Sequence, residues 1–84
     1  MVRMGDYGDA FGTAVAAELR AQRARKRITF DALAAATGLA KTTVLNYLNG
    51  KRDIPMPAFI DLCEALGADP QAIFVAAEES IEER

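Results

Sequence analysis

Side chains suited to catalysis near neutral pH are scarce in this sequence. It contains no histidine and a single cysteine, Cys63. A lone cysteine cannot form an internal disulfide or a thiolate zinc cluster, and acid–base catalysis at this pH usually depends on histidine. Paired carboxylates remain possible, but a chain of 84 residues leaves little room for a substrate cleft of roughly 300–1,000 Å³. We therefore expect no enzyme activity, no metal site and no cofactor.

The basic and acidic residues are separated along the chain. Residues 18–52 contain eight lysines and arginines against Glu18 and Asp31, a net charge of +6. Residues 53–84 contain eight carboxylates against Arg84, a net charge of −7, and the whole chain carries −2. A basic segment of this density favours a polyanionic partner such as nucleic acid, although a solvated helix surface would give the same count.

Apolar spacing and helix-boundary residues predict helices and no strand. Residues 1–8 carry two glycines and no periodic apolar pattern, so we expect a flexible arm. Asp9 is a suitable N-cap for a helix over about residues 10–26, whose last turns are rich in arginine and lysine. Cations at that end of a helix are stabilised by the helix dipole.

Two short helices are predicted next, joined by a glycine turn. Thr29 can cap a helix over residues 30–37, and Gly38 can supply the left-handed conformation that ends it. Helical spacing resumes over about residues 41–49 and stops at Gly50. A tight helix–turn–helix unit is the result.

The second half of the chain predicts two more helices. Pro57 can occupy the first position of a helix that Gly67 ends, and Asp69 followed by Pro70 repeats the start signal. Cys63 lies on the apolar side of the first of these helices, so we expect it to be a buried packing residue.

The chain length predicts one domain with short additions at each end. We expect an all-α, five-helix domain over residues 9–76, preceded by a flexible arm at 1–8 and followed by an acidic helical extension at 77–84. No apolar run approaches the roughly 20 residues that cross a bilayer, and the N-terminus lacks an apolar signal region. A cytoplasmic location is the default expectation.

The residues between Ile28 and Phe74 follow a spacing pattern that is specific as a whole. Its parts are Leu33-Ala34 before Gly38, Val44 in the next helix, Asn49-Gly50-Lys51 after it, and Ala65-Leu66-Gly67 closing the fourth helix. With Leu19 and Arg23, the pattern covers about residues 15–75 and resembles the Cro/repressor-type helix-turn-helix family, which includes XRE-like and lambda-repressor-like proteins. The resemblance implies a lambda-repressor-like fold and a double-stranded DNA operator as partner.

By this resemblance, the second short helix enters the major groove of DNA. A helix about 10–12 Å across fits a groove about 12 Å wide. Lysine can donate to guanine, asparagine can pair with adenine, and the methyl groups of threonine or leucine can meet a thymine methyl. The residues implied to read bases are Lys41, Thr42, Asn46 and, as a fourth, Leu45. A solvated helix face is the alternative interpretation.

A second set of residues is implied to contact DNA phosphates. It comprises Thr29, Arg23, Thr43, Asn49, Lys51 and Arg52. Structural alternatives exist for each kind of residue here: Thr29 as an N-cap, Asn49 as a C-cap, and the basic residues as plain surface charges. Thr43 could equally face the neighbouring helix.

Three positions depart from the family pattern. Phe30 stands where a glutamine often contacts phosphate, and it could instead cover the loop or pack on a partner subunit. Ala40 replaces a capping serine, at a cost of about 1 kcal/mol. Leu48 replaces a glutamate that pairs with the arginine of the first helix, so we expect Arg23 to be free for phosphate or solvent.

The leading hypothesis is a sequence-specific DNA-binding transcriptional regulator, a phage-type or bacterial repressor that occludes its operator. One alternative is an antitoxin-type autorepressor whose acidic half holds a protein partner. Another is a helical interaction adaptor that does not bind DNA, because one fold can serve several functions.

A stripe in the last helix predicts a weak homodimer. Ile73, Ala77 and Ile81 recur every four residues, a stripe longer than a four-helix core requires. Two-fold pairing would supply specificity that one short helix, reading a few base pairs, does not. The alternative is that Ile73 and Phe74 complete the core and Ile81 lies at a frayed end.

Overall fold

The computed structural model describes residues 4–82, and over this range the chain is all-helical. The five helices are α1 (Met4–Lys26), α2 (Phe30–Thr37), α3 (Lys41–Leu48), α4 (Met56–Leu66) and α5 (Pro70–Glu82). The predicted fold class is confirmed. Within this range no helix has the length and apolar character needed to span a membrane.

Helix α1 begins earlier than its sequence predicts. The arm expected at residues 1–8 is helical from Met4 onward, and residues 1–3 lie outside the described range. Asp9 is therefore inside the helix and does not cap it. The cause is tertiary: Tyr7 stacks on Phe11 with ring centroids 6.5 Å apart, and Phe11 packs on Phe74 of α5 at 5.8 Å. These aromatic contacts stabilise a first turn and a half that contains two glycines.

The other helix boundaries lie close to their predicted positions, because local chemistry sets them. Asp69 Oδ1 accepts a hydrogen bond from the Gln71 N–H at 3.0 Å, and Pro70 is the first residue of α5. Helix α4 begins at Met56, one residue before the predicted Pro57, which occupies its first turn. A proline is tolerated there because the missing N–H would have had no helical partner.

All five helices contribute side chains to the core, in which α1 contacts α3, α4 and α5, and α2 contacts α3 and α4. Its fully buried side chains are Leu19, Leu33, Val44, Leu48, Leu62, Cys63 and Leu66. Burial raises the pKa of the Cys63 thiol, and the nearby Asp69 carboxylate adds to the shift. Cys63 is thus a packing residue, as predicted.

The apolar stripe of α5 is covered within the same chain. Ile73 and Ala77 are 2% and 0% exposed, and half-buried Ile81 packs against the core. The prediction that this stripe is free for a second copy is wrong, because the longer α1 packs along α5. The alternative for Ile73 and Phe74 is correct: they complete the core. The boundary predicted at residue 77 falls inside α5.

Candidate nucleic-acid interface

The turn between α2 and α3 is built from local caps. The Ala32 N–H donates to Thr29 Oγ1 at 3.0 Å, which confirms Thr29 as the N-cap of α2. Gly38 ends this helix with φ +76°, a left-handed conformation that glycine adopts without steric cost. Ala40 precedes α3 without any side-chain cap, as its type predicts. Leu33 and Val44 are fully buried where the two helices pack.

Helix α3 is anchored through one face, which leaves the opposite face outward. Val44, Tyr47 and Leu48 are buried, at the spacing of a single helix face. The four predicted base-reading residues share the other face, where their side chains lie at positions i, i+1, i+4 and i+5. Lys41 and Thr42 are exposed, whereas Leu45 and Asn46 are half-buried. The recognition face, defined by these four residues, is therefore most open in the first turn of α3.

The C-terminal end of α3 is held by an arginine that the sequence analysis did not single out. Arg20 Nη1 of α1 donates to the Leu48 carbonyl at 2.5 Å. Leu48 itself is fully buried. Where the resemblance implies a glutamate as the partner of a first-helix arginine, Leu48 offers its backbone carbonyl instead. The sequence offered one indication of this contact: Arg20 lies one turn before Arg23 in the same basic helix, so both arginines lie on one side of it.

Arg23 is engaged at the corner between α1 and α2. Its Nη1 donates to the Ile28 carbonyl at 2.9 Å, and its guanidinium carbon lies 4.4 Å from the centroid of the Phe30 ring. The expectation that Leu48 leaves Arg23 free is wrong, because Ile28 and Phe30 occupy two sides of the guanidinium. Phe30 covers this corner, one of its two predicted roles. Arg23 Nε is buried without a hydrogen-bond partner in the described chain.

The remaining candidate phosphate contacts lie at the start of α2, within α3 and just after α3. Thr29 is exposed at the start of α2, and Thr43 is half-buried within α3. Asn49 occupies the C-cap position of α3, in line with its structural alternative. Lys51 and Arg52 follow in the exposed loop, with the Arg52 guanidinium carbon 5.6 Å from the centroid of the Tyr47 ring.

One ion pair joins the starts of the two short helices. Lys41 Nζ lies 3.1 Å from Asp31 Oδ1, and both side chains are more than half exposed. The pair places a carboxylate beside the recognition face.

A groove of about 640 Å³ lies between α1, α5 and the loop that joins α3 to α4, and Arg52 of that loop lines it. Phe11, Phe59 and Phe74 line it, and the Phe59 and Phe74 rings stack at 4.8 Å. Among residues 4–82, no group of histidine, cysteine or carboxylate side chains is arranged to hold a metal ion.

Comparison with known proteins connects this geometry to a family. The sequence model of the protein family described as "Helix-turn-helix domain" matches residues 14–73, which run from α1 through the start of α5. The crystal structure of the clp gene regulator ClgR from C. glutamicum is similar, with a TM-score of 0.78 and 27% identity over 83% of this chain and 91% of that one. A comparison with curated proteins gives no significant match. The buried anchor of α3, the glycine turn before it and the extent of the family match together show that the chain belongs to the XRE-like helix-turn-helix domain family.

Proposed function

We propose that this protein is a sequence-specific, double-stranded-DNA-binding transcriptional regulator that represses by occupying an operator. The observation that carries the proposal is the recognition face of α3, which is turned outward by the burial of Val44, Tyr47 and Leu48. The family match supports DNA as the partner, and the protein of the similar crystal structure is a gene regulator.

The chemistry of the recognition face suits bases in a major groove. Lys41 and Asn46 offer donors and an acceptor for guanine or adenine edges, and Thr42 and Leu45 offer methyl groups for thymine. The exposed Lys51 and Arg52 extend this face with cations suited to the flanking phosphates. Thr29, Thr43 and Asn49 complete the proposed backbone contacts, whereas Arg23 is engaged by Ile28 and Phe30 within the fold.

We propose that two copies bind one operator with two-fold symmetry. One helix of eight residues reads only a few base pairs, and two copies whose recognition helices lie about 34–36 Å apart read two half-sites on one side of the duplex. A protein seated on such a site in the cytoplasm denies it to RNA polymerase. The α5 stripe is excluded as the contact between the copies, since Ile73 and Ala77 are buried within one chain.

Selection of binding sites from random duplexes tests the proposal. The wild type is expected to enrich a symmetric motif, and Asn46→Ala is expected to lose preference at one base pair per half-site while keeping its affinity for random DNA. The expected loss is about 1–3 kcal/mol at that base pair.

Gln71→Ala is the matched control, because it removes an exposed amide from α5, which packs on α1 and α4 and not on α3. The control should leave the selected motif unchanged. If the wild type binds no duplex at low salt, the result would favour the alternative of a helical interaction adaptor that does not bind DNA. If Asn46→Ala loses the same affinity for specific and for random DNA, the result would contradict base reading by Asn46.

A further inference from the structure

We infer that Asp31 is a positioning residue for Lys41, which holds the lysine toward the bases and lowers its attraction to DNA phosphates, and thereby raises the sequence specificity of the recognition face. This inference rests on the proposed function and deepens it, since it assigns a specificity role to a residue outside α3.

The geometry places the carboxylate where it controls the lysine. Asp31 lies in the first turn of α2 and Lys41 is the first residue of α3, so their side chains meet across the turn. Lys41 Nζ lies 3.1 Å from Asp31 Oδ1. The ammonium has three donors, of which this contact occupies one and leaves two for a base edge.

The charges around this pair make its position unusual. Asp31 is the only acidic residue between Leu19 and Arg52, in a segment that carries all the candidate DNA contacts. Lys41 is the only charged residue of α3. The pair therefore neutralises the only formal charge on the recognition helix and places a carboxylate on a face proposed to meet a polyanion.

The ion pair itself adds little to stability, although Asp31 suits the first turn of α2. The two side chains are 52% and 77% exposed, and ion pairs between exposed groups contribute little to folding. On DNA, by contrast, a free lysine is a flexible point charge that any phosphate can bind, whichever sequence lies beneath. Tethering by Asp31 keeps the ammonium from this sequence-independent contact and directs its remaining donors to guanine.

Neutralising the carboxylate tests the inference. Asp31→Asn should strengthen binding to random duplexes. The salt slope, which is the slope of log affinity against log salt concentration, should steepen by about one unit. Affinity should therefore fall about 3.5-fold more than that of the wild type between 50 and 200 mM salt. Preference for the base pair under Lys41 should fall by about fivefold or more, because the lysine is no longer directed. Asp31→Glu, which keeps the charge, should retain most of the wild-type preference.

Two further variants separate positioning from simple charge removal. Glu79→Gln makes the same charge change on an exposed residue of α5, remote from α3, and should change neither the salt slope nor the base preference. In a Lys41→Ala background, Asp31→Asn should no longer alter the slope or the preference, since there is no ammonium left to direct.

Three results would overturn the inference. Asp31→Asn could leave the salt slope and the base preference unchanged, as Glu79→Gln is expected to do. The effect of Asp31→Asn on base preference could also persist in the Lys41→Ala background, which would assign base contact to Asp31 itself. A wild type that binds no duplex would overturn the inference and the proposed function together. Either of the first two results, with wild-type binding intact, would overturn the inference alone.

Discussion

Removing the two cations after α3 should weaken DNA binding in proportion to the phosphates they contact. Lys51 and Arg52 are exposed, and the Lys51 N–H donates to the Asn46 carbonyl at 2.9 Å, which fixes the start of this loop against α3. Each lost phosphate contact reduces the salt slope by about 0.9, so Lys51→Gln or Arg52→Gln should each reduce the change in affinity between 50 and 200 mM salt by about 3.5-fold. The double variant should lose about two units of slope.

The two residues should differ in the affinity they contribute at a fixed salt concentration. The Arg52 guanidinium stacks at 5.6 Å on the ring of Tyr47, which is itself buried in the core, whereas no comparable contact is described for Lys51. A side chain already held in place loses less conformational freedom on binding. We therefore expect Arg52→Gln to cost more affinity than Lys51→Gln on every duplex.

Fluorescence anisotropy with a random duplex and a selected operator, each over a series of salt concentrations, measures both quantities. Lys51→Arg and Arg52→Lys are the controls, since they retain the charge and should retain the slope. If both glutamine variants keep the wild-type slope, the loop after α3 does not contact phosphate and the proposed orientation on DNA is incorrect.

Three predictions concern the fold that carries the site. Gly12→Ala should raise the free energy of unfolding by about 0.5–1 kcal/mol, because a Cβ there meets open space on α1, whereas Gly38→Ala should lower it by about 1–2 kcal/mol because φ is +76°. Urea denaturation measures both, and changes of equal sign would refute the argument. Ile81→Asp should lower stability by about 1–3 kcal/mol without changing the oligomeric state in sedimentation, since Ile81 packs on its own core; dissociation of a dimer with unchanged stability would contradict this. Burial raises the pKa of Cys63 above its ordinary value of 9.0, so the thiol of the folded protein should resist alkylation at pH 8. The free energy of unfolding should fall as the pH rises above 9.0 toward the pKa of the folded state. Rapid labelling of the native protein at pH 8 would contradict this prediction.

Features governed by neighbouring residues in the chain were predictable from the sequence. The cap at Thr29, the left-handed Gly38 and the Asp69-Pro70 start all depend on contacts within a few residues, and the structure contains each of them. The grouping of residues on α3 follows from helical periodicity alone, once the apolar positions identify the buried face.

Features governed by distant contacts were not predictable. The early start of α1 depends on Phe11 meeting Phe74, which lies more than sixty positions away, and local glycines argued against a helix there. Arg23 was not predictable for a different reason: its acceptor is close in the chain, but the resemblance implied a glutamate partner that this chain lacks, so it was expected to be free. In the structure it is bound by the Ile28 carbonyl, and a backbone acceptor of this kind has no side-chain signature.

The basic residues of α1 illustrate why charge counts alone misjudge a binding surface. Three of them act within the fold: Arg20 donates to the Leu48 carbonyl, Arg23 to the Ile28 carbonyl, and Lys26 to the Leu66 carbonyl. Two of these acceptors lie at the C-terminal ends of α3 and α4, where helix carbonyls lack internal partners and carry partial negative charge. Part of the positive charge in residues 18–52 therefore stabilises helix ends.

The position of α3 is consequently a property of the whole domain. A helix of eight residues without an N-terminal side-chain cap is too short to be stable alone in water. Val44 and Leu48 bury its inner face, and Arg20 binds its last carbonyl. Because these contacts come from α1 and the core, the orientation of the recognition face is set by residues outside that face. If Lys41, Thr42 and Asn46 read bases as proposed, we expect substitutions in that support to change sequence preference as well as stability.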